Sequence, residues 1–106
     1  LEEAAESKEY RINFQTDDFR ILGEIVIADL KLLAEKTPGW SLTVPNHEGI
    51  RVSCNKENGS GWFLLRLSLH DPVLPLNIES EISGGVEKIF AKLSAFLSKY
   101  PELYFT

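Results

Sequence analysis

The sequence is poor in the residues that usually build redox, metal or nucleic-acid sites. Its 106 residues include one cysteine and two histidines. Cys54 has no partner for an internal disulfide, which favours a reduced compartment and a buried thiol. The 16 acidic residues outnumber the 11 basic ones, and no run of lysine or arginine is present. The composition therefore argues against nucleic acid or an anionic membrane surface as a partner.

Long apolar runs are also missing. No segment approaches the ~18 apolar residues of a membrane span, and the opening LEEAAESKEY has neither the basic flank nor the apolar core of a signal peptide. We therefore expect an intracellular protein without a membrane partner. We interpret the acidic N-terminal segment as the place where a longer chain has been cut. What is present, 43% hydrophobic and 25% charged residues, is typical of one folded domain.

Hydrophobic periodicity predicts two amphipathic helices around a group of strands. Helices are predicted within 16–39 and 83–101, and strands at 40–44, 49–54, 62–68 and 73–79. Residues 9–14 alternate like a short half-buried strand, although an extended linker fits as well. These elements predict an α+β fold with two layers: a mainly antiparallel four-stranded sheet with both helices packed on one face. We expect residues 1–14 to be a linker or an edge strand from a preceding domain, and 15–106 to be the domain itself.

The first helix has one apolar side that should pack on the sheet. That side is formed by Leu22, Ile25, Val26, Leu30 and Leu33. Asp17 or Asp18 can cap this helix, and Ser83 can cap the second. Asp29 falls within the apolar side, where it could reach water at the edge or pair with a cation. In the third strand, Arg66 and Ser68 should lie on the face opposite the core.

The segment RLSLHDP, residues 66–72, carries most of the candidate chemistry. Sequence neighbours such as Ser68, His70 and Asp71 rarely converge into a catalytic triad, and a metal site built from His47, His70 and Asp71 is scarcely better supported. We therefore predict no catalytic and no metal-ligating residue in this chain. A plain loop is the simplest interpretation, with Arg66 as a surface cation that could pair with Asp71.

Several motifs, however, resemble the C-terminal domain of the α-D-phosphohexomutase superfamily, the phosphoglucomutase, phosphomannomutase and phosphoglucosamine mutase group. EGIRV at 48–52 matches the family's aspartate-glycine-hydrophobic-arginine element, and Trp62 matches its tryptophan strand. RLSLHDP occupies the place of the family's loop R-P-S-G/N-T-E-P, and its SLHDP form is most similar to plant members. The resemblance spans about residues 40 to 100.

The resemblance implies a TBP-like fold and a function in sugar-phosphate metabolism. Family members move a phosphoryl group between the 1- and 6-positions of a hexose, using a phosphoserine and magnesium in their first domain. Their C-terminal loop holds the substrate's other phosphate. By position, Arg66 would be the phosphate anchor, Ser68 a hydroxyl donor and His70 a further donor. The resemblance thus implies a phosphosugar substrate, upstream domains as partners, and no cofactor in this domain.

Departures from the family pattern leave alternatives open. Leu69 replaces a small or amide residue, and Pro75 and Leu76 leave no second arginine after the loop. The parent protein could be an active mutase, a non-catalytic phosphosugar-binding protein, or a chain that keeps the domain only for protein interaction. The sequence leaves the choice of sugar phosphate and the oligomeric state open, and it allows either cytoplasm or plastid.

Overall fold

The computed structural model describes residues 5–43, 49–68 and 71–105. These residues form two helices, six strands and one short 3₁₀ turn. The helices are α1 (Phe19–Lys36) and α2 (Gly85–Leu97). The strands are β1 (Glu6–Phe14), β2 (Trp40–Leu42), β3 (Gly49–Cys54), β4 (Gly61–Arg66), β5 (Val73–Ser80) and β6 (Leu103–Phe105), with the 3₁₀ turn Lys56–Asn58 between β3 and β4.

The strands form one sheet in the order β2-β3-β4-β5-β1-β6, and every described pairing is antiparallel. The α+β class is as expected, but the predicted count of four strands is wrong, because β1 and β6 extend the sheet beyond β5. β6 could not be predicted from its residues, since three residues are too few for an alternating pattern and β6 exists through its pairing with β1.

β1 is an inner strand of the sheet. It pairs with β5 from Glu6 to Asn13 and with β6 from Ile12 to Phe14. Of the two interpretations of residues 9–14, the strand is therefore confirmed, and it begins three residues earlier than expected. Whether this segment comes from a preceding domain stays a prediction.

One face of the sheet and both helices share the hydrophobic core. The inward side chains of β3 and β4 alternate as predicted, and they pack with α1 and α2 in one buried cluster. The most completely buried strand residues are Ile12, Ile50, Val52, Phe63, Leu65, Leu74, Leu76 and Ile78. The opposite face, which we call the open face, carries Arg11, Arg51, Trp62, Leu64, Arg66 and Asn77. Both helices therefore pack on one face, and the other is left for contacts outside the core.

α1 packs through a slightly different side from the one expected. Val26 and Leu30 are buried and Leu22 and Leu33 are partly buried, but Ile25 is 47% exposed, so its assignment to the packing side is wrong. Its position falls toward the far side of the helix once α1 is rotated to bury Gly23 and Ala34.

The helix N-termini are not capped by the side chains predicted from sequence. Asp18 occupies the N-cap of α1 but makes no side-chain capping hydrogen bond. At α2 the N-cap is Gly84, with φ +85°, rather than Ser83. There the carboxylate of Glu6 accepts hydrogen bonds from the backbone N–H groups of Gly84 at 3.0 Å and Val86 at 3.1 Å. These two bonds lower the pKa of Glu6. Glu6, which lies 78 positions before Gly84 in the sequence, therefore caps the N-terminus of α2.

Ser80 connects the end of β5 to the β3–β4 hairpin. Its side chain is buried, and its hydroxyl donates to the carbonyl oxygen of Gly59 at 2.5 Å and accepts from the N–H of Ile82 at 3.1 Å. Because the bond to the Gly59 carbonyl is buried, that carbonyl depends on the hydroxyl as its partner, and the hydroxyl links the two chain reversals at this end of the sheet.

The side chain of Asp29 in α1 is exposed, which agrees with the interpretation that it reaches water at the edge of the apolar side. Its carboxylate accepts a hydrogen bond from the hydroxyl of Tyr100 at 2.5 Å, so its described partner is a phenol and not a cation. Burial, followed by this bond and the carboxylate charge, raises the pKa of Tyr100. The contact joins α1 to the segment after α2.

Candidate functional site

The candidate site is the connection between β4 and β5, residues 67–72. Arg66 is the last residue of β4 and Val73 the first of β5. The N–H of Ser68 donates to the carbonyl oxygen of Val73 at 3.2 Å, so the two ends of the connection are held together. Leu69 and His70 lie outside the described residues.

Arg66 lies on the open face with its side chain exposed. Within the part of the chain that the structure describes, it forms no ion pair with Asp71 or with any other residue. The surface pair considered from the sequence is therefore not formed between these two residues. None of its N–H donors is therefore used by another residue within 5–43, 49–68 and 71–105.

Gly49 sets the position of Arg66 from the neighbouring strand. The two residues are paired across β3 and β4. A Cβ atom on Gly49 would lie 2.5 Å from the carbonyl oxygen of Leu65, 3.2 Å from the Cα of Arg66 and 3.1 Å from its Cγ. The strands can approach this closely because the residue opposite Arg66 has no side chain. Gly49 belongs to the EGIRV motif, but the motif by itself does not indicate this role.

Ser68 is half-buried and its hydroxyl shapes the loop. Its Oγ accepts a hydrogen bond from the backbone N–H of Asp71 at 3.2 Å, and the carbonyl of Asp71 in turn accepts from the N–H of Val73 at 2.7 Å. Accepting this bond uses a lone pair and leaves the hydroxyl hydrogen available. Among the described residues no acceptor for that hydrogen is present. Ser68 can therefore order the loop and donate to a ligand at once.

The β1–α1 junction forms the other side of the loop. The N–H of Phe14 donates to the carbonyl oxygen of Pro72 at 3.1 Å, and the side chain of Leu67 packs against Gly23 of α1. A Cβ atom on Gly23 would lie 2.5 Å from Leu67 Cδ1. Leu67 lies between Arg66 and Ser68 in the sequence, and its side chain is buried in the core. This burial fixes the backbone on both sides of Leu67.

The two tryptophans have different environments. Trp40 is buried against Phe63, with ring centroids 5.0 Å apart, as expected for a packing residue. Trp62 lies half-buried on the open face, and the guanidinium of Arg51 lies 4.2 Å above its ring. This cation–π contact covers one side of the indole ring and holds Arg51 over Trp62. Arg51 and Arg66 therefore differ: the first has an aromatic partner and the second has none described.

Other chemistry is not indicated by the described residues. Residues 5–43, 49–68 and 71–105 contain no group of three or more His, Cys, Asp or Glu side chains placed to hold a metal ion. Cys54 is buried, and burial raises its pKa to about 11, so the thiol stays protonated at neutral pH and is a poor nucleophile. Among the residues that the structure describes, neither helix has both the length and the apolar character needed to span a bilayer.

Three surface depressions lie away from Arg66 and Ser68. One is at the β3–β4 hairpin end of the open face and includes Lys56, Trp62 and Glu79; the second lies beside Glu6 and Phe90; the third lies between the helices at Trp40 and Lys92. Each is open and shallow, so we take none of them as the primary ligand site.

Comparison with known proteins gives no independent assignment. No protein-family model matches the chain, and no curated protein matches it.

Proposed function

We propose that this chain is the substrate-phosphate-binding domain of a phosphohexomutase, a protein that interconverts hexose 1-phosphate and hexose 6-phosphate. In this proposal Arg66, Ser68 and His70 bind the phosphate that is not reacting. The observation that carries the proposal is an exposed arginine without a described ion-pair partner, two residues before a serine whose hydroxyl hydrogen has no described acceptor.

The order of elements also supports the proposal. The chain runs from β3, with its GIRV sequence, through a hairpin to β4 with Trp62, then through the 67–72 connection to β5 and α2. This is the order that the family resemblance implies. The 67–72 connection begins at the end of β4, where β3 packs closely against β4 at Gly49. This close contact gives the Cα and Cγ atoms of Arg66 a defined position.

The chemistry of the loop suits a phosphate monoester. A guanidinium can donate two parallel N–H bonds to phosphate oxygens, and a serine hydroxyl adds a third. Each charge-assisted hydrogen bond contributes about 1.5 to 3 kcal/mol, so Arg66 alone would change affinity by about ten- to a hundredfold. The Asp71 side chain is exposed at the same loop, and its charge would reduce that affinity.

The proposal is tested by titrating the chain with glucose 1-phosphate and following backbone amide chemical shifts. We expect the shifts to be concentrated at residues 66–72, and we expect glucose without phosphate to leave them unchanged. Arg66→Ala should weaken binding by about ten- to a hundredfold. Arg66→Lys should recover part of that loss, because an ammonium keeps the charge but not the planar pair of donors.

Arg11→Ala is the matched control, since Arg11 is another exposed arginine of the open face, on β1. It should bind glucose 1-phosphate as the unmodified chain does. Equal binding by the Arg66→Ala variant and the unmodified chain, or shifts that avoid residues 66–72, would exclude a phosphate grip at this loop.

A second candidate function is phosphosugar binding without catalysis. The absence of an arginine just after the loop favours it: Pro75 of β5 instead pairs with Arg11 of β1. The two candidates predict the same binding by this chain but different activity of the parent protein. Assaying the parent with glucose 1-phosphate, mannose 1-phosphate and glucosamine 1-phosphate separates them, because a mutase converts at least one to its 6-phosphate and a binding protein converts none.

A further inference from the structure

The outward side of α1 carries an apolar stripe that the described residues leave exposed. Ile21, Ile25 and Leu32 are 60%, 47% and 53% exposed, and Ala28 between them is also exposed. At 3.6 residues per turn, these four positions fall within about 60° of the helix circumference. The stripe lies opposite the side of α1 that packs on the sheet through Val26 and Leu30. Three large exposed apolar side chains in line on one helix indicate a contact surface.

The spacing of the stripe is that of a helix pairing with another helix. Successive positions are separated by four, three and four residues, which is the alternation of the two apolar positions of a heptad. Glu24 and Lys31 are exposed, seven residues apart, along one flank of the stripe. In a helix pair, charges at this flank contact the flank of the partner helix and select its orientation.

We propose that this stripe, formed by Ile21, Ile25, Ala28 and Leu32, is a self-association surface that pairs antiparallel with α1 of a second copy of the chain. A two-fold axis midway between residues 25 and 28 places Ile21 beside Leu32 of the second copy and Ile25 beside Ala28 of the second copy, and it repeats both contacts in the other direction. All four apolar positions then find apolar partners.

The flanking charges favour a second copy over an unrelated partner. The same axis brings Glu24 beside Lys31 of the second copy, and Lys31 beside its Glu24. The surface is therefore its own complement in apolar pattern and in charge, which is what a symmetric dimer requires. This surface lies on α1 and the phosphate proposal does not depend on it.

The contact is short, so the dimer is weak. At the next heptad position beyond each end of the stripe, Asp18 would face Glu35 of the second copy. The repulsion between these like charges limits the contact to the four apolar positions. So small an area falls below the ~1,200 Å² of a stable interface, and we expect a dissociation constant between about 10 μM and 1 mM.

Sedimentation velocity over about 10 μM to 1 mM chain tests the proposal. We expect the mean mass to rise toward that of a dimer, and Ile25→Ser to keep the chain monomeric throughout. Ile82→Ser is the matched control, because Ile82 is 44% exposed but lies outside the stripe, and it should dimerise normally. Both side chains are exposed, so circular dichroism should show both variants folded.

Charge reversal identifies the antiparallel pairing. Glu24→Lys and Lys31→Glu should each weaken the dimer by about tenfold, because each turns both symmetric pairs into repulsive ones. The double variant should regain the original affinity. A mixture of the two single variants should form a heterodimer tighter than either homodimer, since opposite charges then meet at both ends.

A chain that stays monomeric at the highest concentration would overturn the proposal, as would a dimer insensitive to Ile25→Ser. Single and double charge variants that all dimerise equally would overturn the antiparallel arrangement. If the longer parent protein is monomeric and its α1 amides exchange more slowly than those of this chain in its monomeric state, the stripe is covered by another part of that protein and the proposal is wrong.

Discussion

Replacing Gly49 with alanine tests whether the close approach of β3 and β4 positions the candidate phosphate anchor. The added Cβ would lie 2.5 Å from the backbone carbonyl oxygen of Leu65. Ordinary van der Waals contact begins near 3.4 Å, so the strands must separate locally by about 0.9 Å. The obstructing atom belongs to the backbone, and it cannot move aside as a flexible side chain could.

The expected cost follows from that displacement. Forcing an extra methyl group into a close-packed position typically destabilises a protein by about 1 to 3 kcal/mol. For a chain of this size, that change should lower the urea midpoint by about 1 to 2 M, measured by tryptophan fluorescence. Phosphate affinity should fall by up to about tenfold as well, because the Cα of Arg66 lies 3.2 Å from the added methyl group and must move with β4.

Gly84→Ala is the control for the general cost of replacing a glycine. Gly84 has φ +85°, and a Cβ there would meet nothing within 4 Å. It should cost about 1 kcal/mol through its left-handed backbone conformation and leave glucose 1-phosphate binding unchanged. If Gly49→Ala unfolds at the same urea concentration as the unmodified chain, the steric reasoning is refuted. If it is destabilised but binds phosphate normally, Gly49 does not position Arg66.

Two further substitutions test contacts that hold the ends of the sheet. Glu6→Gln should destabilise the chain at about pH 7. The pKa of Glu6 is lowered in the folded state, so the charged carboxylate stabilises the fold above the unfolded-state pKa and loses this effect when it is protonated. The difference in stability between the variant and the unmodified chain should therefore shrink as pH falls below about 4.5. Urea midpoints at several pH values check this, with Glu9→Gln as a same-strand control, and a constant difference across pH would contradict it. Ser80→Ala should cost about 1 to 3 kcal/mol, because it leaves a buried carbonyl and a nearby N–H without their partner. Ser53 is a half-buried serine without a described hydrogen bond, so Ser53→Ala should destabilise the chain by less than about 0.5 kcal/mol. Equal losses of stability in the two serine variants would argue against the hydrogen-bond explanation.

Much of the secondary structure could be predicted because periodicity is a local property. The alternation of Phe63 and Leu65 against Trp62 and Leu64 set the two faces of β4, and the structure confirms them. The helix assignments hold for the same reason. Ile25 was misplaced because a helical wheel does not reveal which part of a broad apolar side meets the sheet.

The candidate site was predictable only as a set of residue types. The sequence placed Arg66 and Ser68 on one face at the end of a strand, and the structure confirms that placement for Arg66. It gave no indication that Arg66 would lack a described ion-pair partner, or that the Ser68 hydroxyl would accept from Asp71. These are consequences of how the strands and the loop come together.

The sequence by itself determined the α+β class, the two amphipathic helices, the alternating faces of the inner strands and the candidate loop. The helices and the strand faces follow from patterns within about 20 consecutive residues, the α+β class from the order of these elements, and the candidate loop from the family resemblance. The tertiary structure decided the inner position of β1, the capping of α2 by Glu6, the exposure of Ile25 and the close contact of Gly49 with β4. Each of these depends on elements that are far apart in the chain but adjacent in space, and no local pattern records which of them will meet.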